Sequence, residues 1–225
     1  HPIARSLVHE SGVPVAAPSA NLFTRPSPTC ARHVIHELGD AVDMIVDGGD
    51  ADIGVESTVL DLTAPNPKVL RPGGVTIEDL RAVLPKVAFE ARYITDGETE
   101  PAASPGLLSR HYSPQASLQL FRGEEDTTLQ RMIGHAEKML QASKRVGILC
   151  ATEDLEAFHP LSVATYDLGP KADRPTMANR LFDGIRTLDA HDLDLILARS
   201  YSEEGIGLAI WDRLFRAAEG HVMEP

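Results

Sequence analysis

Three short clusters of hydroxyl, amide and guanidinium side chains stand close together in this chain, each beside an apolar run. Ser19 and Asn21 follow Val13-Pro14-Val15-Ala16-Ala17-Pro18, with Ser27-Pro28-Thr29 shortly after; Ser57 and Thr58 sit between Gly54-Val55-Glu56 and Val59; Arg71 precedes Pro72-Gly73. Taken singly, each Ser or Thr reads as a turn or cap residue. Taken together, they read as the polar wall of a pocket for an anionic or nucleotide ligand, with the turn at Ser27-Pro28 offering backbone N–H groups to an anion. The usual phosphate fingerprints are missing from the sequence. There is no Gly-x-x-x-x-Gly-Lys-Ser/Thr, and Gly205-Ile206-Gly207 reads as a loop leading into a helix. No serine lies in a Gly-x-Ser-x-Gly elbow, so a Ser-His-Asp hydrolase has only an inventory behind it. His33 and His36 share a predicted helix without a carboxylate at partner spacing and read as surface histidines. Asp47, Asp50, Asp52 and Gly54 lack the closing Glu of a calcium loop and read as a solvated turn.

The elements that must carry these groups are mixed. Residues 3–11 suggest a short amphipathic helix ended by Gly12, and Val13 to Ala17 a buried strand. A helix is expected from Pro28 through Leu38 and a strand over Asp43 to Asp47, closed by Gly48-Gly49. Two further strands, Val55 to Leu62 and Lys68 to Leu70, flank the turn Ala64-Pro65-Asn66-Pro67, and Thr76-Ile77-Glu78-Asp79 resembles a capping box ahead of the next helix. From Thr95 to Pro114 the composition shifts to Gly, Pro, Ser and Glu, ending in Arg110-His111-Tyr112. That stretch reads as a linker, and Tyr112 reads equally as an aromatic packed on its neighbouring domain. Strands then alternate with helices: Ser117–Phe121, helix Thr127–Ala142, strand Val146–Ala151, strand Val163–Leu168, helix Pro175–Leu188, strand Leu193–Ala198 and helix Leu208–Ala218. Such alternation predicts a small parallel three-layer domain.

Length and charge narrow the function classes. A chain of 225 residues accommodates two domains, and its 43% hydrophobic content is globular. The net charge of −12 is spread over both halves, which argues against a polyanion-binding surface. Cys30 and Cys150 are too far apart for a thiolate metal site or a disulfide framework, and a reducing cytoplasmic setting is expected. The opening His1-Pro2-Ile3 has no initiator methionine, so the chain reads as cut from something longer.

Pro14-x-x-Ala17-Pro18-Ser19-Ala20-Asn21, Ser27-Pro28-Thr29, Gly54-Val55-Glu56-Ser57-Thr58-Val59, Leu70-Arg71-Pro72-Gly73, and Ser104-Pro105-Gly106 with His111-Tyr112-x-Pro114 together resemble the YrdC-like family in its long, two-domain threonylcarbamoyl-AMP synthase form. The resemblance implies a YrdC-like twisted open-sheet α/β catalytic domain over 1–94, a linker or lid over 95–114, and a small Rossmann-like α/β/α domain over 115–225. It further implies a nucleotidyltransferase that joins L-threonine, bicarbonate or CO2, and ATP, with Mg, into threonylcarbamoyl-adenylate and pyrophosphate. The product would pass to a downstream transfer complex that modifies tRNA. By the family pattern no side chain is a catalytic acid or base: Ala17 and Ser57 would touch threonine, while Ser19, Ser27, Arg71 and Tyr112 would contact ATP. Asn21, Thr58 and His111 would support them. The family's basic phosphate-gripping motif would lie ahead of His1, so the expectation is a chain without the first half of the catalytic domain and with poor ATP binding of its own. Two other readings stay open, a non-catalytic nucleotide- or nucleic-acid-binding module and a carbamoyl-transfer subunit. Direct tRNA contact stays open as well.

Overall fold

The computed structural model describes residues 1–89 and 111–224. Its larger sheet is built from β4 (Ser117–Phe121), β5 (Val146–Cys150), β6 (Ala164–Asp167), β7 (Leu195–Arg199) and β8 (Val222–Met223), in the order β6-β5-β7-β4-β8. Every pairing in it is parallel. The central strands β5 and β7 are buried along their whole length, as expected for a sheet covered on both faces. Strand alternation sorts their side chains. Val146, Ile148, Leu195 and Leu197 pack with Met132 and Ala136 of α4 (Glu125–Gln141) and Phe158 of α5 (Leu155–Phe158). Leu149, Ile196 and Ala198 face Leu181, Ile185 and Leu188 of α6 (Arg174–Asp189) and Ile210 and Leu214 of α7 (Gly207–Ala217). The expected three-layer α/β/α domain is present.

The earlier part of the chain is more open. Helix α1 (Pro2–Ser11) starts on Pro2 and stops at Gly12, whose φ of 63° is the left-handed cap that favours glycine; none of its residues is buried. Helix α2 (Ala31–Leu38) begins after Cys30 and runs into a one-turn 3-10 segment, Gly39–Ala41. Strand β1 (Val59–Asp61) pairs antiparallel with β2 (Lys68–Arg71), which pairs in parallel with β3 (Ala88–Phe89). Helix α3 (Ile77–Val83) carries the anticipated capping box: the Thr76 hydroxyl accepts from the Asp79 N–H while the Asp79 carboxylate accepts from the Thr76 N–H. Val69, Ile77 and Val87 form the small core beneath this sheet.

Two expected strands are corrected. Val13 to Ala17 and Asp43 to Asp47 join no ladder among the described residues, and Val13, Val15, Met44 and Val46 are exposed rather than buried. Apolar alternation specifies a strand only where a partner edge supplies the backbone hydrogen bonds. The linker expected over 95–114 falls mainly on residues outside the described ones, as do Ser104, Pro105 and Gly106.

Helix α6 does more than cover the sheet. Its apolar residues Met177, Leu181, Ile185 and Leu188 face the core, while Asn179, Asp183, Arg186 and Asp189 recur at helical spacing on the other side and hold the earlier part of the chain. Asn179 donates to the carbonyls of Ala51 (2.6 Å) and Asp52 (3.0 Å), and beside it Gly54 approaches the helix so closely that a Cβ would lie 2.3 Å from the Asn179 Cα. Gly54 also has a φ of 80°, so both space and conformation require glycine. Gly54→Ala is predicted to lower the unfolding free energy by more than about 2 kcal/mol in urea melts. A variant as stable as its parent would contradict this close approach.

Candidate functional site

The site is a pocket of about 390 Å³ between the 19–29 loop and the 51–56 segment, with Phe182 of α6 at its wall. Ser19, Ala20, Ser27, Gly54, Val55 and Glu56 contribute to its lining. The 19–27 loop is braced from within and from α6. The Asn21 carboxamide donates to the carbonyls of Leu22 (2.8 Å) and Arg25 (3.2 Å). Arg25 pairs with Asp189 at 2.7 Å, and Asp189 also accepts the N–H groups of Gln115 (2.7 Å) and Ala116 (3.0 Å). Arg186 donates to the carbonyls of Pro26 and Ser27 and to Glu37.

The 51–56 wall runs on into a strap at residues 56–58. Gly73 lets the backbone after β2 press against it, since a Cβ there would stand 2.3 Å from the Glu56 carbonyl oxygen. Arg71 donates through Nε (3.2 Å) and Nη2 (3.0 Å) to the Ser57 carbonyl, and the Thr58 hydroxyl donates to the Val75 carbonyl at 2.6 Å. Glu56 closes the arrangement. One of its carboxylate oxygens accepts from the buried Ser27 hydroxyl at 2.5 Å, and the other accepts from Arg213 Nε at 2.7 Å. Arg213 belongs to α7, is wholly buried, and donates also to Asp212 at 2.6 Å, which is held in turn by Arg216. Burial by itself pushes the Glu56 pKa up, but the Arg213 charge and the hydrogen bonds from Ser27 and Arg213 outweigh it and hold the carboxyl below its ordinary value.

Tyr112 lies beneath this pair. Its ring sits 5.4 Å from the Arg213 guanidinium and 5.1 Å from Phe182, fully buried, with a φ of 63° and no hydroxyl partner among the described residues. Burial raises its pKa to about 12. The ring is therefore packed against α6 and α7 here, and His111 stacks edge-on at 4.0 Å.

The structure brings Ser19 and Ser27 to one pocket and places Ser57 and Thr58 on the adjoining strap, to which Arg71 of β2 donates. Ala17 is exposed and stands outside the pocket lining. Two expectations are corrected. His33 is buried rather than a surface histidine: Nδ1 accepts the Thr29 N–H at 3.1 Å and Nε2 lies 3.2 Å from Asp183, which also accepts from Arg32 and Tyr166. The turn at Ser27-Pro28, expected to offer its N–H groups to an anion, is followed by a Thr29 N–H that this ring already engages. Cys30, His33 and Asp183 do converge to within 4.8 Å. With a backbone N–H on Nδ1 the ring proton stands on Nε2, so neither nitrogen presents a lone pair to a metal. Sequence reasoning assigned no role to Glu56, Arg213 or Phe182. A signal for Arg213 was present, since Asp212, Arg213 and Arg216 interrupt the apolar face of a helix and charges there must pair.

Comparison with known proteins agrees along the whole chain. Residues 75–219 match the family model for the threonylcarbamoyl-AMP synthase C-terminal domain, and residues 1–73 match the one described as telomere recombination. The chain is 40% identical over 223 residues to the threonylcarbamoyl-AMP synthase of Bacillus subtilis, covering 99% of this chain and 62% of that protein. It is 34% identical over 219 residues to the one of Pyrococcus abyssi, covering 97% and 62%. The crystal structure of P. abyssi Sua5 complexed with L-threonine superposes with a TM-score of 0.88 at 33% identity, covering all of this chain and 64% of that one. A P. abyssi Sua5 variant in which a histidine and the adjacent tyrosine are alanine superposes at 0.85, with 32% identity, over all of this chain and 62% of that one. The chain thus spans about three fifths of the length of the relatives it matches.

One buried and two half-buried histidines make the packing sensitive to acid. Burial, first among the causes, depresses the pKa of His33, His111 and His135. The folded state therefore keeps these rings neutral, while the unfolded chain takes up protons near the ordinary value of about 6.5. Their stabilising share is complete above that value and is lost as pH falls through the depressed ones. The thermal midpoint is predicted to drop between pH 7.5 and 5.5, and His33→Gln to shrink the drop. A midpoint flat over that range would contradict the assignment.

Proposed function

The chain belongs to the threonylcarbamoyl-AMP synthase family, and from that premise we propose that the protein containing it condenses L-threonine, bicarbonate or CO2, and ATP into threonylcarbamoyl-AMP and pyrophosphate, the adenylate then serving a transfer complex that forms N6-threonylcarbamoyladenosine at position 37 of tRNA. The reading rests most directly on the whole-chain likeness to a solved structure that holds L-threonine. Residues 1–94 are read as the later part of the catalytic domain, 95–114 as the linker, and 115–225 as the second domain. A cytoplasmic enzyme is proposed; among the described residues no helix is long and apolar enough to cross a membrane.

The chemistry suits a pocket without an acid–base pair. Threonine and bicarbonate lose water to give a carbamate, whose oxygen attacks the α-phosphorus of ATP as pyrophosphate leaves. Such a step needs anionic reactants held in line and their charge offset more than it needs covalent help. We assign Ser57 and Ala17 to threonine, and Ser19, Ser27 and Arg71 to ATP, with Asn21, Thr58 and His111 in support. The hydrogen-bonding inventory refines one role. The Ser27 hydroxyl has a single hydrogen and gives it to Glu56, so toward ATP its oxygen acts as acceptor, suited to a ribose hydroxyl or an adenine N–H rather than a phosphate. Tyr112 is assigned as the lid over the nucleotide, a role that requires the ring to leave its slot between Phe182 and Arg213. Magnesium would travel with the ATP phosphates, which keep it bound through their own oxygens and water.

The complete protein is predicted to release pyrophosphate from ATP only when threonine and bicarbonate are both supplied; release equal to a threonine-free control would reject the synthase reading. Ser57→Ala should weaken threonine and Arg71→Ala should weaken ATP, each by roughly 1.5–3 kcal/mol, the range for a charge-assisted contact. A threonine KM unmoved by Ser57→Ala would remove that residue from the threonine site.

A further inference from the structure

We propose that Arg213 is a positioning residue through which the five-stranded domain neutralises and fixes Glu56 at the wall of the substrate pocket; this rests on the synthase reading above. Glu56 lines the pocket with each carboxylate oxygen already accepting a hydrogen bond, one from Ser27 and the other from Arg213. Among the described residues Glu56, Arg213, Asp212 and Arg216 are linked there by ion pairs, two of each sign, and Arg213 touches both carboxylates. Remove its charge and one negative charge is left over beside a pocket whose proposed reactants are a carboxylate, a bicarbonate and a triphosphate. In a buried setting that repulsion is weakly screened.

Packing alone does not account for an arginine at this position. A side chain of similar volume without charge fills such a space at lower desolvation cost, and buried ion pairs are commonly replaced by apolar residues without loss of stability. The arginine also does what an apolar residue cannot. Its Nε holds the Glu56 carboxylate turned toward α7 while Nη2 lies 3.5 Å from the Glu56 carbonyl oxygen, so side chain and backbone of the strap are held by one planar group. Ser57, assigned to threonine, is the next residue along that strap. The second domain thus acts on the site without contributing a group to the reaction.

The test uses the complete protein and threonine-dependent pyrophosphate release, with folding of each variant checked by circular dichroism. Arg213→Met should raise the KM for threonine at least about tenfold, with little relief from added salt because the stranded charge is buried. The double variant Arg213→Met/Glu56→Gln, which removes both charges, should return the KM to within about threefold of the parent, consistent with the modest cost of exchanging a buried pair for uncharged groups. A merely structural role predicts the reverse, with the double variant as impaired as the single one. Should Arg213→Met fail to fold, Arg213→Lys, which keeps the charge, and Arg213→Gln, which removes it, supply the same contrast. If the parent is active and the double variant is no better than Arg213→Met, or Arg213→Met leaves the KM unchanged, the inference falls while the synthase reading stands. If the parent shows no threonine-dependent release, both fall.

Discussion

The pair between Glu56 and Arg213 joins residues 157 positions apart and is the contact on which the site's shape depends. A buried arginine is costly to desolvate, and breaking such a pair by removing one partner typically costs about 3–5 kcal/mol because the other charge is stranded. Here the pair is embedded in further contacts. Glu56 holds the Ser27 hydroxyl, Arg213 holds Asp212, and the Tyr112 ring lies beside the guanidinium. Both walls of the pocket therefore meet at one carboxylate. Burial alone would lower the Arg213 pKa, but Glu56, Tyr112 and Asp212 hold it above its ordinary value, so the charge is permanent.

Around that point α6 supplies the rest of the docking. Its core-facing residues are those of an ordinary sheet-covering helix, and its outer stripe is committed to the earlier part of the chain through Asn179, Asp183, Arg186 and Asp189. Polar contacts of this kind specify orientation more than they add stability, because the exposed Arg32–Asp183 pair contributes little net energy and the attraction of buried pairs such as Arg186–Glu37 is offset by desolvation. Orientation is what a pocket between two structural units requires. The same helix places Phe182 at the pocket wall and against Tyr112, so the apolar and polar faces of one element both bear on the site.

The sequence made some of this plain and concealed the rest for physical reasons. Unbroken apolar runs at Val146–Cys150 and 195–198 announced strands covered on both faces, and the helices between them carried their period openly. Caps at Gly12 and Thr76 followed from local chemistry. Strands β3 and β8, two residues each, were missed because so short a run has no period. Val13–Ala17 and Asp43–Asp47 carried strand composition without strand pairing, since pairing is a property of two segments and only one was in view. Ser19 and Ser27 were found because their neighbours in sequence are their neighbours in the pocket. Glu56 and Arg213 were not, because a carboxylate acquires its meaning from a guanidinium on a helix far along the chain. His33 was misread for the same reason: its carboxylate, Asp183, comes from α6.

The most direct test of this arrangement is the coupling energy between Arg213 and Glu56, measured from urea unfolding of the parent chain, Arg213→Met, Glu56→Gln and the double variant. The structure predicts a coupling above about 1.5 kcal/mol, with the two single losses far from additive. Additive losses, with a coupling near zero, would show that the buried pair does not tie the second domain to the pocket and would contradict the basis of the site described above.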